Sequence, residues 1–255
     1  VSILRTAPVL AIAGCLLVGS AAVAAESGPV ETETISAPER VLFIGNSLTH
    51  RHGGMDWLIG TMVRAHDPSR PFDADIRTAK GVTLEHHFNN GAPRAIRARD
   101  YDTVVLQGYI PGSPTRTTSE FIEFGQRLGE QVREVGARPV LYMTWPVERR
   151  QWSNLDDTMS AHRQVAGALD ADVAPAGLAF ELAQAERPDL ALIAADGIHS
   201  TWAGAYLAAL TLYATLYDAS LDDLDYEFGV NPEDAEFLKR IAQQAITDWE
   251  AGATS

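Results

Sequence analysis

The amino-acid sequence predicts a three-layer α/β/α domain with a central parallel sheet of about five strands. Two observations favour this fold class. Short, continuous apolar runs such as residues 41–45 (VLFIG) and 103–106 (TVVL) alternate along the chain with longer segments of helical periodicity. Strands that are apolar on both faces are typical of parallel sheets that helices cover on both sides.

The elements follow one another in a regular βα pattern. The predicted strands are residues 41–45, 72–79, 103–106, 139–144 and 171–174. The predicted helices are residues 55–66, 121–135, 155–169, 200–217 and 232–249; the last begins with Asn231 as a capping residue and Pro232 in the first turn. Because ligands bind at the carboxyl ends of the strands in such sheets, residues directly after strands are the first candidates for a site.

The first 38 residues are not expected to belong to the domain. Residues 1–25 have Arg5 near their start, a long apolar run and small residues at their end, which is the pattern of a secretory signal peptide with cleavage near Ala25. A lipoprotein site at Cys15 is the alternative, and it is disfavoured because the apolar run continues well beyond that residue. Residues 26–38 are polar and acidic and predict a flexible linker, so the domain is residues 39–255 and the protein is secreted or periplasmic.

Composition excludes several classes of function. The chain has 255 residues and a formal net charge of −14, which disfavours nucleic acid as a partner and provides no basic patch for anionic lipid. Cys15 is the only cysteine, so the domain contains no disulfide, thiol nucleophile or Cys-ligated metal site. No membrane span is expected once the signal peptide is removed, and the oligomeric state stays open.

Ser47 directly follows the first predicted strand, in the stretch Gly45-Asn46-Ser47. Gly45 and Asn46 permit a sharp turn, which would present a serine hydroxyl at the edge of the sheet. Taken alone, this stretch is equally consistent with an ordinary turn. It differs from the G-x-S-x-G nucleophile elbow, because Thr49 stands at the position of the second glycine.

A second candidate pair, Asp196 and His199, lies just before the predicted helix 200–217. A serine hydroxyl needs a base to become a nucleophile at neutral pH, and a carboxylate three residues before a histidine can fix its tautomer. The alternative is that Asp196 caps the following helix and that His199 stands beside it by chance.

Four segments resemble the SGNH/GDSL-type hydrolases, in family order along the chain. They are residues 41–49 (VLFIGNSLT), Gly81 within 79–87 (AKGVTLEHH), residues 104–107 (VVLQ) and residues 196–209 (DGIHSTWAGAYLAA). The resemblance is to a bacterial branch whose first block contains G-N-S-L-T rather than G-D-S.

This resemblance implies a flavodoxin-like α/β/α fold with a Ser-His-Asp site and neither a metal nor another cofactor. Ser47 matches the nucleophile, His199 the general base and Asp196 its orienting partner. Gly81 matches the glycine whose N–H joins that of Ser47 in the oxyanion hole. The family's third block supplies an asparagine side chain to that hole, whereas Gln107-Gly108 stands here. We therefore expect Gln107 to offer its amide as the donor, the alternative being that it bonds neighbouring backbone.

Other residues near the predicted site have open roles. The histidines His50, His52, His86 and His87 come in two pairs after strands, but no accompanying carboxylate pattern suggests a metal site. Three tryptophans, Trp145, Trp152 and Trp202, lie in loops or at a helix start near the predicted site. Trp145 and Trp152 are candidates for stacking on a sugar, although aromatic residues are more often simply packed.

The sequence thus predicts an exported serine ester hydrolase. The preferred substrates are short-chain esters, particularly O-acetyl groups of carbohydrates, by analogy with the family. Lipase and thioesterase activities remain alternatives within the fold. A non-catalytic exported binding protein is the alternative from another class, because the third-block asparagine is missing. The acyl group and the alcohol of the substrate are left open.

Overall fold

The computed structural model of the protein describes residues 40–108, 114–147 and 154–252. These residues contain a five-stranded sheet of strands β1 (Arg40–Gly45), β2 (Asp73–Thr78), β3 (Thr103–Leu106), β4 (Arg138–Tyr142) and β5 (Asp172–Ala174). The strands lie in the order β2-β1-β3-β4-β5, and every pairing is parallel. This order makes β1 and β3 central neighbours and turns the chain outward in both directions from β1, as in doubly wound folds.

Helices connect the strands. Four helices precede β3: α1 (Ser47–His50), α2 (Met55–His66), α3 (Leu84–Asn89) and α4 (Ala92–Ile96), with a 3₁₀ turn at Arg51–Gly53. The others are α5 (Pro114–Glu134), α6 (Leu155–Leu169), α7 (Ala176–Glu186), α8 (Trp202–Tyr217) and α9 (Pro232–Ala251). Within the described ranges, no helix is long and apolar enough to cross a membrane.

Alternating residues of the strands supply two separate cores. Val41 and Phe43 of β1 point into a core formed with α2, α7, α8 and α9. Leu42 and Ile44 point to the opposite face, where α3 to α6 cover the sheet. Because side chains alternate across a strand, the apolar run from Val41 to Ile44 is needed to bury both faces. The three-layer α/β/α fold class predicted from the sequence is therefore confirmed.

Local differences from the predicted elements have simple causes. The helix expected at 200–217 begins at Trp202, because Thr201 caps it by accepting the N–H of Gly204 through its hydroxyl. Helices α3 and α4 were not predicted, since five or six residues are too few to show a helical period. Helix α7 was missed too, although its burial against α8 and α9 makes it a full part of the core.

Candidate active site

Ser47 lies where β1 meets its following turn, at the carboxyl edge of the sheet. It is the first residue of α1, and the side chain of Asn46 caps this helix by accepting the N–H of Leu48 at 3.0 Å. Gly45 is required by close packing: a Cβ there would stand 2.2 Å from the Thr49 hydroxyl. The half-buried Ser47 is thus held on a short, tightly packed turn.

Asp196 and His199 lie on a narrow hairpin before α8, rather than in the first turn of a helix. The N–H of Ala194 donates to the carbonyl of His199 at 2.7 Å, and Ile193 pairs with Ser200 in an isolated antiparallel bridge. Gly197 turns the chain between them with a φ of 68°, a conformation that residues with a Cβ disfavour. The hairpin fixes the spacing of the two side chains.

The three predicted catalytic side chains form one hydrogen-bonded chain. His199 Nε2 lies 2.9 Å from the Ser47 hydroxyl oxygen, and His199 Nδ1 lies 2.7 Å from a carboxylate oxygen of Asp196. Ser47 and His199 are 152 residues apart in the sequence, so only the fold brings them together. With a hydrogen on Nδ1 donated to Asp196, Nε2 is free to accept the hydroxyl proton of Ser47.

The Asp196 carboxylate is stabilised in its charged form. The hydrogen bond from His199 lowers its pKa below the ordinary range, and the backbone N–H groups of His199 and Ile198 lower it further. Both N–H groups donate to the second carboxylate oxygen at 2.9 Å. Asp196 is therefore an anion at neutral pH, and its hydrogen bond keeps the imidazole oriented.

Gly81 lies in the loop after β2, the strand next to β1. Its φ of 67° is left-handed, and a Cβ at this position would meet no atom within 4 Å. The loop is tied to the serine turn, because the Asn46 amide donates to the carbonyl of Val82 at 3.2 Å. Gly81 therefore combines an unusual backbone conformation with open space beside it, as a backbone donor facing a substrate requires.

The Gln107 amide, which we expected to donate to the site, makes hydrogen bonds to the serine turn and to the neighbouring Gly108. Its Oε1 accepts the N–H of Asn46 and the hydroxyl of Thr49, each at 2.9 Å, and its Nε2 donates to the carbonyl of Gly108 at 2.6 Å. Only 1% of the residue is exposed. Gln107 thus holds the serine turn from behind, and the alternative, that it bonds neighbouring backbone, fits the structure.

The four histidines singled out from the sequence occupy different environments. His87 is buried beneath the site, with Nε2 2.7 Å from the carbonyl of Gly45, and its burial lowers its pKa. His52 lies with Nε2 2.9 Å from the carbonyl of Ser200. His50 and His86 are exposed. The structure therefore gives at least two of them a packing role that pairwise spacing in the sequence did not indicate.

The tryptophans also separate by environment. Trp145 is 3% exposed, stacks on Phe180 with ring centroids 4.0 Å apart, and donates its indole N–H to the carbonyl of Ile198 at 3.0 Å. It therefore supports the hairpin of His199 from the core and is too buried to stack on a ligand. Trp202 is 52% exposed at the start of α8. Trp152 lies outside the described residues, as do the predicted signal peptide and linker.

The fold and the Ser47–His199–Asp196 chain match the arrangement that the resemblance to SGNH/GDSL-type hydrolases implies. No family model matches the chain, and no curated protein matches it. The solved structures give the comparison instead. A candidate SGNH hydrolase from Slackia heliotrinireducens is 28% identical, and the alignment covers 69% of this chain and 98% of that one with a TM-score of 0.59.

Two further solved structures share the fold at lower identity. A DUF4886 family protein from Bacteroides uniformis is 17% identical, with 82% of this chain and 94% of that chain covered and a TM-score of 0.62. The acetylxylan esterase Axe2 from Geobacillus stearothermophilus is 16% identical, with 76% and 98% covered and a TM-score of 0.57. The chain has the SGNH/GDSL-type fold, so the resemblance predicted from its sequence is confirmed. The narrower match to a branch with a G-N-S-L-T block stays a prediction.

Proposed function

We propose that the protein is an exported serine ester hydrolase that acts on short-chain esters, with O-acetyl groups of carbohydrates as the preferred substrates. The proposal rests on one observation, the hydrogen-bonded chain from the Ser47 hydroxyl through His199 to Asp196. Hydrolase and acetylxylan esterase neighbours of the same fold support the reaction class. Export follows from the signal-peptide pattern of residues 1–25.

Acylation would begin with His199 Nε2 taking the hydroxyl proton of Ser47 while the serine oxygen attacks the ester carbonyl. The Asp196 carboxylate stabilises the imidazolium that forms. The negative charge that develops on the carbonyl oxygen is met by the N–H groups of Ser47 and Gly81. The imidazolium then protonates the alcohol oxygen as the ester C–O bond breaks, which leaves an acyl group on Ser47.

Deacylation repeats the same steps with water. His199 takes a proton from a water molecule while the water oxygen attacks the acyl carbonyl. His199 then gives that proton to the Ser47 oxygen as the acid leaves. Net reaction consumes one water and yields a carboxylic acid and an alcohol. Two backbone N–H groups supply the oxyanion hole in this scheme, since the Gln107 amide nitrogen donates to the carbonyl of Gly108.

Hydrolysis of p-nitrophenyl acetate by the purified protein tests the proposal. Ser47→Ala should abolish hydrolysis and leave the circular dichroism spectrum unchanged. Ser200→Ala is the matched control: its buried hydroxyl lies next to His199 and has no hydrogen-bond partner among the described residues, so activity should persist. Full activity in Ser47→Ala would refute the mechanism, and strong inhibition by a chelator would point to a histidine metal site instead.

A non-catalytic binding protein of the same fold is the competing function, and the lack of a side-chain donor at Gln107 is the observation that favours it. A fluorophosphonate probe separates the two, because it reacts only with an activated serine. We expect one label per chain in the native protein and in Ser200→Ala, and none in Ser47→Ala. A native protein that takes up no label would support the binding protein.

A further inference from the structure

Four aromatic side chains, mostly from residues that follow Ser47 or His199 along the chain, form one contiguous cluster with their rings tilted by 38° to 61°. We call His52, Trp57, Trp202 and Phe228 the aromatic platform. The ring centroids lie 4.2 Å apart for His52 and Trp202, 4.9 Å for Trp202 and Phe228, and 5.5 Å for Phe228 and Trp57. Trp57 also covers Gly53, where a Cβ would lie 3.4 Å from the indole. The two tryptophans thus flank the 3₁₀ turn that directly follows the serine helix.

Residues of the aromatic platform lie close in the sequence to both Ser47 and His199. His52 follows Ser47 by five residues, and Trp202 follows His199 by three, which places its Cα at most about 11 Å from that of His199. His52 Nε2 also lies 2.9 Å from the carbonyl of Ser200, the residue next to His199. A ligand on the aromatic platform would therefore lie next to a substrate at Ser47.

The exposure of this surface is unusual for the protein. Trp202 is 52% exposed and Trp57 is 46% exposed. In the described part of the chain, Val135 is the one other large hydrophobic residue that is exposed, and it lies before β4 at the opposite edge of the sheet. Two indoles half in solvent and in one contiguous patch are characteristic of binding surfaces rather than of packing.

Backbone strain is concentrated in the same place. The described residues include four non-glycine residues with positive φ, of which Asp170 and Asp218 are helix C-caps, where this conformation is common. The other two are His52, with a φ of 58°, and Phe228, with a φ of 53°. A left-handed backbone is unfavourable for a bulky residue such as phenylalanine, and such strain collects at functional sites.

The geometry points to the aromatic platform as a subsite for neutral sugar rings, next to the ester that Ser47 attacks; this deepens the proposed function and rests on it. Indole and phenyl faces can pack on the C–H face of a sugar ring. A surface that is half open to solvent suits a polar sugar better than an acyl chain, which an enclosed apolar pocket would bury. The formal net charge of −14 disfavours anionic polymers. The occupant we commit to is an uncharged oligosaccharide segment of the substrate.

Binding of unmodified oligosaccharides tests the subsite without any ester hydrolysis. We would titrate neutral xylo-, cello-, manno- and chito-oligosaccharides into the protein by calorimetry. At least one should bind, and Trp202→Ala and Trp57→Ala should each weaken that binding at least tenfold. Val135→Ala, which removes exposed apolar surface outside the aromatic platform, should bind as the native protein does. Thermal melts establish that each variant is folded, and Trp202→Phe, which keeps a flat ring, should restore part of the affinity.

Kinetic measurements then test whether the aromatic platform contributes to ester hydrolysis at Ser47. We would measure kcat/KM on the acetylated form of that oligosaccharide and divide it by kcat/KM on p-nitrophenyl acetate. In Trp202→Ala this ratio should fall at least tenfold, mainly because KM for the acetylated oligosaccharide rises. The proposal is overturned if no oligosaccharide binds, or if the tryptophan variants bind oligosaccharides as tightly as Val135→Ala does. It is also overturned if Trp202→Ala lowers kcat/KM on p-nitrophenyl octanoate by a larger factor than it lowers the affinity for the oligosaccharide. Failure of Ser47→Ala to lose activity would defeat the proposed function alone, because sugar binding is measured independently of hydrolysis.

Discussion

Replacing Gln107 with leucine tests whether this residue holds the serine turn or donates to the oxyanion. Leucine has a similar volume but no polar atoms, so it fills the space and removes every hydrogen bond. The buried N–H of Asn46 and the buried hydroxyl of Thr49 both lose their acceptor, and the carbonyl of Gly108 loses a donor. Each buried polar group left unpaired costs about 1 to 3 kcal/mol.

With at least two such groups orphaned, we expect Gln107→Leu to lower the free energy of unfolding by roughly 2 to 5 kcal/mol, after some relaxation of the turn. Urea denaturation followed by circular dichroism measures this change. Esterase activity should fall as well, since the turn that presents Ser47 loses its support.

Thr49→Val supplies the matched control, because it removes one donor to Gln107 and leaves the glutamine in place. In the double variant no Thr49 hydroxyl remains to be orphaned, so the total loss should be smaller than the sum of the single losses by about 1 kcal/mol. Unchanged stability in Gln107→Leu, with kcat down about 100-fold, would refute the supporting role and restore Gln107 as an oxyanion donor.

Three other variants test the site and its surroundings. Asp196→Asn should retain the fold but lower kcat by roughly 10³- to 10⁴-fold on p-nitrophenyl acetate, because the amide favours the wrong tautomer of His199; a loss under tenfold would show that the carboxylate is dispensable. Trp145→Phe keeps the stacked ring but loses the hydrogen bond to the carbonyl of Ile198, so kcat should fall about tenfold with KM little changed, and an unaltered kcat would contradict its positioning role. Burial lowers the pKa of His162 to about 4 from 6.5, so as the pH falls the unfolded chain binds a proton before the folded protein does. The contribution to the free energy of unfolding is present in full above pH 6.5, and that free energy should drop by about 3 kcal/mol by pH 4. Urea titrations should show a flatter pH dependence of stability in His162→Phe, and identical pH dependences in the two proteins would exclude this cause.

Much of the fold could be predicted because its signals are local. The apolar strand at residues 41–45 needs both of its faces buried whatever surrounds it, and the final helix carries its own start signal in Asn231 and Pro232. The short helices α3 and α4 were missed because their five or six residues are held by packing against α5 rather than by their own periodicity.

The site was predictable to the extent that its residues follow strands or precede helices in recognisable segments. Ser47, Asp196 and His199 were all candidates from such segments, and the fold brings them to hydrogen-bond distance. The supporting residues gave no comparable signal. Trp145 and Trp202 are the same residue type near the same site, yet one is buried beneath the hairpin and the other is half exposed.

The sequence alone determined the class of the protein: a parallel α/β/α sheet with a serine at the end of its first strand and an Asp-x-x-His segment near its last helices. Only the tertiary structure decided the direction of the Gln107 amide, whose partners Asn46 and Thr49 lie 61 and 58 residues away. The physical reason is that backbone periodicity depends on neighbouring residues, whereas a buried amide takes the orientation that pairs both its ends. Asn46 and Thr49 lie in the turn after another strand, so they reach Gln107 only once the chain has folded.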